Sequence, residues 1–205
     1  MASIKLNLIN HSADANNSDY VIFQKNAATD VNIQSVAWKV VKNLGNSDNH
    51  PFEYPMEFQV CAKDYNGNYM PKITAHNDHV YEVIMAQSGH QLRDGSQTAA
   101  NPNEVEVWNN LTQGAIDAQI YRDGKLLATK VNVAPGSKAN FEFKPKIFIG
   151  MVSQVEEGTV MNSNVTIQYL TEIDLLGVSS ADIIITGGGR GTDSVPFKFT
   201  LSNVI

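Results

Sequence analysis

The stretch IDAQIYRDGKLLATKV, residues 116–131, contains two strand-like segments joined by a tight turn. Ile116, Ala118 and Ile120 alternate with polar residues, which is the side-chain period of a half-buried β-strand. Asp123-Gly124 follows, and this dipeptide tolerates the positive φ angles that a two-residue hairpin turn requires. The stretch therefore predicts an antiparallel hairpin.

Similar segments occur along the whole chain. Ile4, Leu6 and Leu8 alternate with polar residues at the start, and Tyr20–Gln24 follows as the partner strand of a first hairpin. Asn66-Gly67 separates two further strand-like runs, 54–62 and 68–75, which should pair antiparallel. Further strands are predicted at 139–144, 147–155, 165–175, 181–186 and 197–204. Because turn signals separate these short strands without long helical patterns, we predict an all-β fold, an antiparallel β-sandwich of jelly-roll or Greek-key type with at most one short helix.

Residues 30–45 fit both a helix and a strand. Ile33, Val36, Val40 and Leu44 lie at helical spacing after Asp30, a candidate N-cap. The same segment is rich in β-branched residues, which favour strands. We favour the strand.

The 205-residue chain is predicted to be a single domain, residues 1–205. All-β domains commonly reach this length undivided, and no repeat, low-complexity tract or linker interrupts the sequence. Both ends carry strand patterns, so we expect both terminal strands to lie within sheets.

The composition disfavours two classes of partner. Fifteen Lys and Arg stand against 21 Asp and Glu, giving a net charge of −6 without basic clusters, so nucleic acid is not expected as a partner. No apolar run is long enough to span a membrane as a helix. The N-terminus lacks the pattern of a secretory signal, so we predict a cytoplasmic protein and leave signal-independent export open.

Two motifs resemble known ligand-binding loops but differ from them in spacing or in the flanking structure. The glycine-rich segment 186–193 lies between predicted strands and lacks the spacing of nucleotide-binding loops, so it is interpreted as an interstrand connection. The segment 64–68 alternates oxygen ligands as calcium loops do, but its glycine is misplaced and Ala75 stands where the bidentate Glu should be. It is interpreted as a hairpin turn.

The candidate metal ligands and nucleophiles are isolated from one another. His76 and His79 are two nearby imidazoles, whereas zinc normally needs three or four protein ligands. Cys61 lies in an apolar run, which is typical of a buried structural thiol. We therefore predict no catalytic residues, no cofactor and no metal site, and a protein that is not an enzyme.

The aromatic residues leave two interpretations open. They could form a sugar-stacking platform, or they could serve the core, where large aromatic side chains usually lie. Tyr65 and Tyr69, beside the predicted turn, are the residues we expect to face a ligand. The full set is Trp38, Trp108, Phe52, Tyr54, Tyr65, Tyr69 and Tyr81.

Three segments of the N-terminal third carry a family resemblance. They are Val21–Lys25, Ser35–Val40 and His50–Pro55, with a Phe-Gln strand, a Ser-Val-Ala-Trp motif and an aromatic strand. Together they resemble bacterial rhizosphere-induced proteins of the RhiA-like type, although Val36 stands where that family's motif has Leu. The resemblance implies a bacterial, non-enzymatic β protein and brings no catalytic residues.

Two functions are compatible with these sequence features. The first is a structural, self-assembling protein that forms homo-oligomers, filaments or ordered inclusions through the edges of its terminal strands, because only 18% of residues are charged and exposed strand edges pair readily. The residues predicted for assembly are Ile4, Leu6, Leu8, Phe197, Phe199 and Leu201. The alternative is a carbohydrate-binding, lectin-like module with a glycan partner.

Overall fold

The computed structural model describes residues 3–14, 18–30 and 32–205, and strands dominate this part of the chain. In chain order they are β1 Ser3–Asn10, β2 Asp19–Phe23, β3 Gln34–Ser35, β4 Lys39–Val41, β5 Asn49–Pro55, β6 Phe58–Asp64, β7 Ile73–Ala75, β8 His79–Ala86, β9 Gly89–Asp94, β10 Val105–Asn109, β11 Ile116–Arg122, β12 Lys125–Val133, β13 Lys138–Phe141, β14 Lys146–Val152, β15 Gln168–Asp174, β16 Ser180–Gly188 and β17 Val195–Ser202. A single 3-10 turn, Gly191–Asp193, is the helical element of the described residues. The prediction of an all-β fold with at most one short helix is confirmed.

The chain forms two compact units. Unit 1 contains Met1–Gln24, Ala37–Met56 and Pro145–Ile205, and unit 2 contains Lys25–Val36 and Glu57–Lys144. Each unit has its own pair of sheets, so each has the layers of a β-sandwich. The expectation of a single domain over residues 1–205 concerns cooperative folding and stays a prediction.

Unit 1 consists of two four-stranded sheets, ordered β17-β16-β1-β5 and β15-β14-β2-β4. Alternate residues of β1, namely Ile4, Leu6 and Leu8, are buried, as the period-two pattern predicts. The sheets meet through aromatic contacts such as that of Tyr20 in β2 with Phe199 in β17, whose ring centroids lie 6.0 Å apart at an edge-to-face angle. The core of this unit therefore lies between the two sheets.

The predicted first hairpin does not exist. β1 pairs in parallel with β16 and antiparallel with β5, whereas β2 pairs with β14 and β4 in the other sheet. The turn predicted between them at 14–19 lies partly outside the described residues. The hairpin prediction is wrong because alternation identifies a strand's buried face but not its hydrogen-bonding partner.

Both terminal strands lie within sheets, as predicted, and they share the same sheet. β1 is an inner strand, and β17 is an edge strand that pairs antiparallel with β16. Ile205 is also hydrogen-bonded to β16, because its backbone N–H donates to the carbonyl of Ser180 at 2.9 Å.

Unit 2 consists of a five-stranded sheet, β3-β12-β11-β6-β7, and a four-stranded sheet, β13-β10-β8-β9. Asn109 connects the two sheets, because its Nδ2 in β10 donates to the carbonyl of Val133 in β12 at 2.8 Å. The hairpin predicted around Asp123-Gly124 is confirmed as β11 and β12. Both turn residues have positive φ, +55° and +69°, as a tight hairpin turn requires.

The contested segment 30–45 is extended. It contains β3 and β4, and no helix occurs among its described residues. Val36, Ala37 and Trp38 between these strands are fully buried. The preference for strand is confirmed, and Val31 lies outside the described residues.

Candidate functional site

The loop that follows β6 is built around the carboxylate of Asp64. Its Oδ1 accepts hydrogen bonds from the backbone N–H groups of Asn66 and Asn68, each at 2.9 Å. Gly67 adopts φ +87°, the left-handed conformation that closes a three-residue hairpin loop. Asp64 therefore serves the turn through its side chain, which agrees with the hairpin interpretation of this segment.

His90 in β9 is the second partner of this carboxylate. Its Nδ1 lies 2.9 Å from Oδ2 of Asp64, and both side chains are largely buried, with 9% and 6% exposed. Burial by itself would raise the pKa of Asp64, but the hydrogen bonds from His90, Asn68 and Asn66 outweigh burial and lower the pKa to about 2. The carboxylate is therefore ionised at neutral pH and held in one position.

Tyr65 lies on top of this pair with a fixed ring. Its ring contacts His90 edge to face, with centroids 5.4 Å apart. Its other support is Gly114, where an added Cβ would fall 2.1 Å from the Cδ1 atom of Tyr65. Because glycine leaves that space open, the tyrosine ring lies against the backbone while 53% of the residue stays exposed.

A cleft of about 440 Å³ opens beside these residues. One wall is the β6–β7 loop with its two tyrosines, and the other is the β8–β9 hairpin. The principal lining residues are Tyr65, Asn66, Tyr69, Met85, Ser88 and His90. This volume falls within the usual range of small-molecule pockets, roughly 300–1,000 Å³.

Tyr65 and Tyr69, the two residues predicted to face a ligand, both line this cleft and are 53% and 62% exposed. Most other aromatic residues of the predicted set are buried in the core. The buried ones are Trp38, Phe52, Tyr54 and Tyr81, and Trp108 is partly buried with its indole N–H donating to Glu106 at 2.7 Å.

Sequence reasoning missed His90 and the β8–β9 hairpin that carries it. In β8 the four consecutive residues from Val80 to Val83 are buried, so this strand lacks a regular alternation of buried and exposed side chains. β9 has few apolar residues. The Ser88-Gly89 dipeptide between them is the available turn signal.

The other motifs take structural roles. Cys61 is buried, and burial raises the pKa of its thiol, as expected for an inert cysteine. The glycine-rich segment connects β16 to β17, and a Cβ at Gly187 would fall 2.3 Å from the carbonyl oxygen of Pro196. Its glycines permit a close backbone approach, in agreement with the interstrand interpretation.

His76 and His79 contact each other edge to face, with ring centroids 5.9 Å apart. Within the described residues, no three His, Cys, Asp or Glu side chains come together as metal ligands. Nor does that part of the chain contain a helix with the length and apolarity needed to cross a bilayer.

A second surface lies on unit 1, where β15 and β17 form open edges of the two sheets. Tyr169 in β15 and Phe197 in β17 contact each other, with ring centroids 5.5 Å apart. Leu170 and Val195 beside them are 43% and 55% exposed. We call these four residues, Tyr169, Leu170, Val195 and Phe197, the edge patch.

The residues predicted for assembly fall into two groups. Ile4, Leu6, Leu8 and Phe199 are buried within unit 1, whereas Phe197 and Leu201 are partly exposed. β1 offers no open edge, because β16 and β5 occupy both of its sides. The idea that β1 is an adhesive edge is therefore wrong, and the C-terminal strand β17 keeps that role as a prediction.

Comparison of the chain with models of protein families, with curated proteins and with solved structures gives no match. The resemblance of the N-terminal third to rhizosphere-induced proteins therefore stays a prediction.

Proposed function

We propose that this chain is a non-enzymatic structural protein that forms homo-oligomers through the open edges of β15 and β17. The observation that carries the proposal is the edge patch, where two adjacent edge strands expose apolar side chains. Unpaired N–H and C=O groups of such an edge can pair with a strand of another chain.

The other edges of unit 1 are better protected. β4 has only three residues, and β5 contains Pro51 and Pro55, which cannot donate a hydrogen bond. By contrast, β15 and β17 have seven and eight residues. Long edges with exposed apolar side chains are the ones that associate.

Charged residues and proline confine the contact to part of this edge. Glu172 and Asp174 lie in the second half of β15. Pro196 and Lys198 lie among the apolar residues of β17. The apolar contact is thus centred on Tyr169 and Leu170. If this contact is not closed by a symmetry axis, it produces a filament rather than a ring.

Sedimentation velocity tests the proposal on the 205-residue chain with a matched pair of variants. Leu170→Lys places a charge in the edge patch, whereas Val131→Lys places the same charge at a residue of equal 43% exposure in unit 2. We expect the wild type and Val131→Lys to form oligomers that grow with concentration, and Leu170→Lys to remain monomeric. A wild-type monomer at every concentration, or assembly of Leu170→Lys equal to that of the wild type, would overturn the proposal.

A further inference from the structure

We infer that the cleft of unit 2 binds a neutral sugar ring, stacked on Tyr65 and Tyr69. This site lies in unit 2 and is independent of the edge patch, which lies in unit 1. Four features of the cleft carry the inference.

The first feature is exposed aromatic surface. The two tyrosines keep more than half of their surface accessible, at 53% and 62%, although aromatic side chains usually bury most of their area. A pyranose offers an apolar face of C–H groups that fits such a ring, while its hydroxyl groups need hydrogen-bonding partners around the rim.

The second feature is the support beneath and beside the Tyr65 ring. Tyr65 is held between Gly114 and His90, and the loop below it is closed by the two backbone hydrogen bonds to Asp64. A rigid site loses little conformational entropy on binding, which favours recognition of a small ligand. A loop that served only as a hairpin connection would not need this fixed tyrosine.

The third feature is the polar rim. Amide and hydroxyl groups from Asn66, Asn68 and Ser88 line the cleft beside the tyrosines. Such uncharged groups both donate and accept hydrogen bonds, as sugar hydroxyls do.

The fourth feature is the charge of the cleft. Its ionisable lining residues other than tyrosine are Asp64 and His90, which are bonded to each other. Lys63, near the ring of Tyr69, is held by Asp117 at 2.6 Å. Because the Asp64 carboxylate is bonded to His90 and the Lys63 ammonium is paired with Asp117, a neutral ligand fits the cleft better than a phosphate or a carboxylate.

Titration of the 205-residue chain with soluble sugars, followed by NMR, is the direct test. The probes are glucose, galactose, mannose, fucose and N-acetylglucosamine with their short β-linked oligomers, and choline as a cationic ligand for an aromatic pocket. We expect saturable shifts with at least one neutral sugar. No binding by any sugar, or saturation by choline alone, would overturn the inference.

Two tyrosine variants and one control variant assign the binding to the cleft. Tyr69→Ala should weaken binding at least tenfold because it removes a stacking face, whereas Tyr69→Phe should keep it within about threefold because the ring remains. Leu176→Ala truncates a residue of unit 1 that is 77% exposed and lies outside the edge patch, and it should leave binding unchanged. Because the sugars are monovalent, oligomerisation cannot raise the apparent affinity through avidity. Equal affinity of Tyr69→Ala and the wild type would refute the site.

Discussion

The imidazole Nδ1 of His90 lies 2.9 Å from Oδ2 of Asp64, and this contact joins the two sheets of unit 2. Asp64 ends β6 in one sheet, and His90 belongs to β9 in the other. The same carboxylate closes the loop that carries Tyr65. One side chain therefore couples sheet packing to the shape of the cleft.

Replacing Asp64 should destabilise the protein. Asp64→Asn keeps the shape but removes the charge that accepts hydrogen bonds from His90, Asn66 and Asn68, so we expect a loss of about 1–3 kcal/mol in the free energy of unfolding. Urea denaturation measures the change. Asp94→Asn, at an exposed position of β9, is the control and should cost no more than about 0.5 kcal/mol. Equal effects of the two variants would contradict this role of Asp64.

Stability should fall at acid pH through the same carboxylate. The pKa of Asp64 is about 2 in the folded protein, below its ordinary value of 3.8. Below that ordinary value the unfolded chain takes up a proton that the folded chain does not, so the stabilisation present above about pH 4 is lost as the pH falls towards 2. The difference in urea midpoint between wild type and Asp64→Asn should therefore shrink over this range. A difference that is constant with pH would contradict the prediction.

Gly114 should be required for the position of the Tyr65 ring. In Gly114→Ala the new Cβ would lie 2.1 Å from the Tyr65 ring, so the ring must move and its edge-to-face contact with His90 must change. We expect the NMR signals of the His90 ring to shift because the ring current of Tyr65 at His90 changes. Gly124→Ala is the matched control, because Gly124 also has a positive φ but has no atom near the added Cβ. It should cost about 1 kcal/mol of backbone strain and leave the His90 signals unchanged.

Cys61 should be unreactive in the folded protein. It is 2% exposed, its Sγ lies 3.1 Å from the carbonyl oxygen of Met70, and burial raises the pKa of its thiol. The thiolate needed for attack is therefore both scarce and inaccessible. We expect an aromatic disulfide reagent to modify it only in denaturant. Rapid stoichiometric labelling of the native protein would show that this strand is open.

The two units should unfold together if residues 1–205 are a single domain. At the boundary after Met56, β5 ends at Pro55 and β6 begins at Phe58, so only two residues connect a strand of one unit to a strand of the other there. Loss of one unit would therefore release strand ends of the other. Differential scanning calorimetry should show one transition with equal calorimetric and van't Hoff enthalpies. Two resolved transitions would show that the units are separate domains.

Local signals account for the elements that the sequence predicts well. The β11–β12 hairpin depends on Asp123-Gly124, whose positive φ angles are a property of those two residues. The Asn66-Gly67 turn is also local, since Asp64 closes it by hydrogen bonds to residues two and four positions away. Tyr65 and Tyr69 are expected to face solvent because they flank that turn.

Long-range pairing accounts for what sequence reasoning misses. β1 pairs with β16, which lies near the other end of the sequence. Nothing in Ile4, Leu6 and Leu8 distinguishes that partner from β2. His90 could not be placed beside Asp64, because the two residues meet only when the two sheets of unit 2 pack.

The sequence by itself determined that this chain is built of strands and that tight turns lie at Asn66-Gly67 and Asp123-Gly124, because side-chain alternation and turn conformation are local properties. Only the tertiary structure decided which strands pair, which edges stay open and which side chains line the cleft. Backbone hydrogen bonds are the same for every strand, so the choice among partners depends on how all the buried faces pack together.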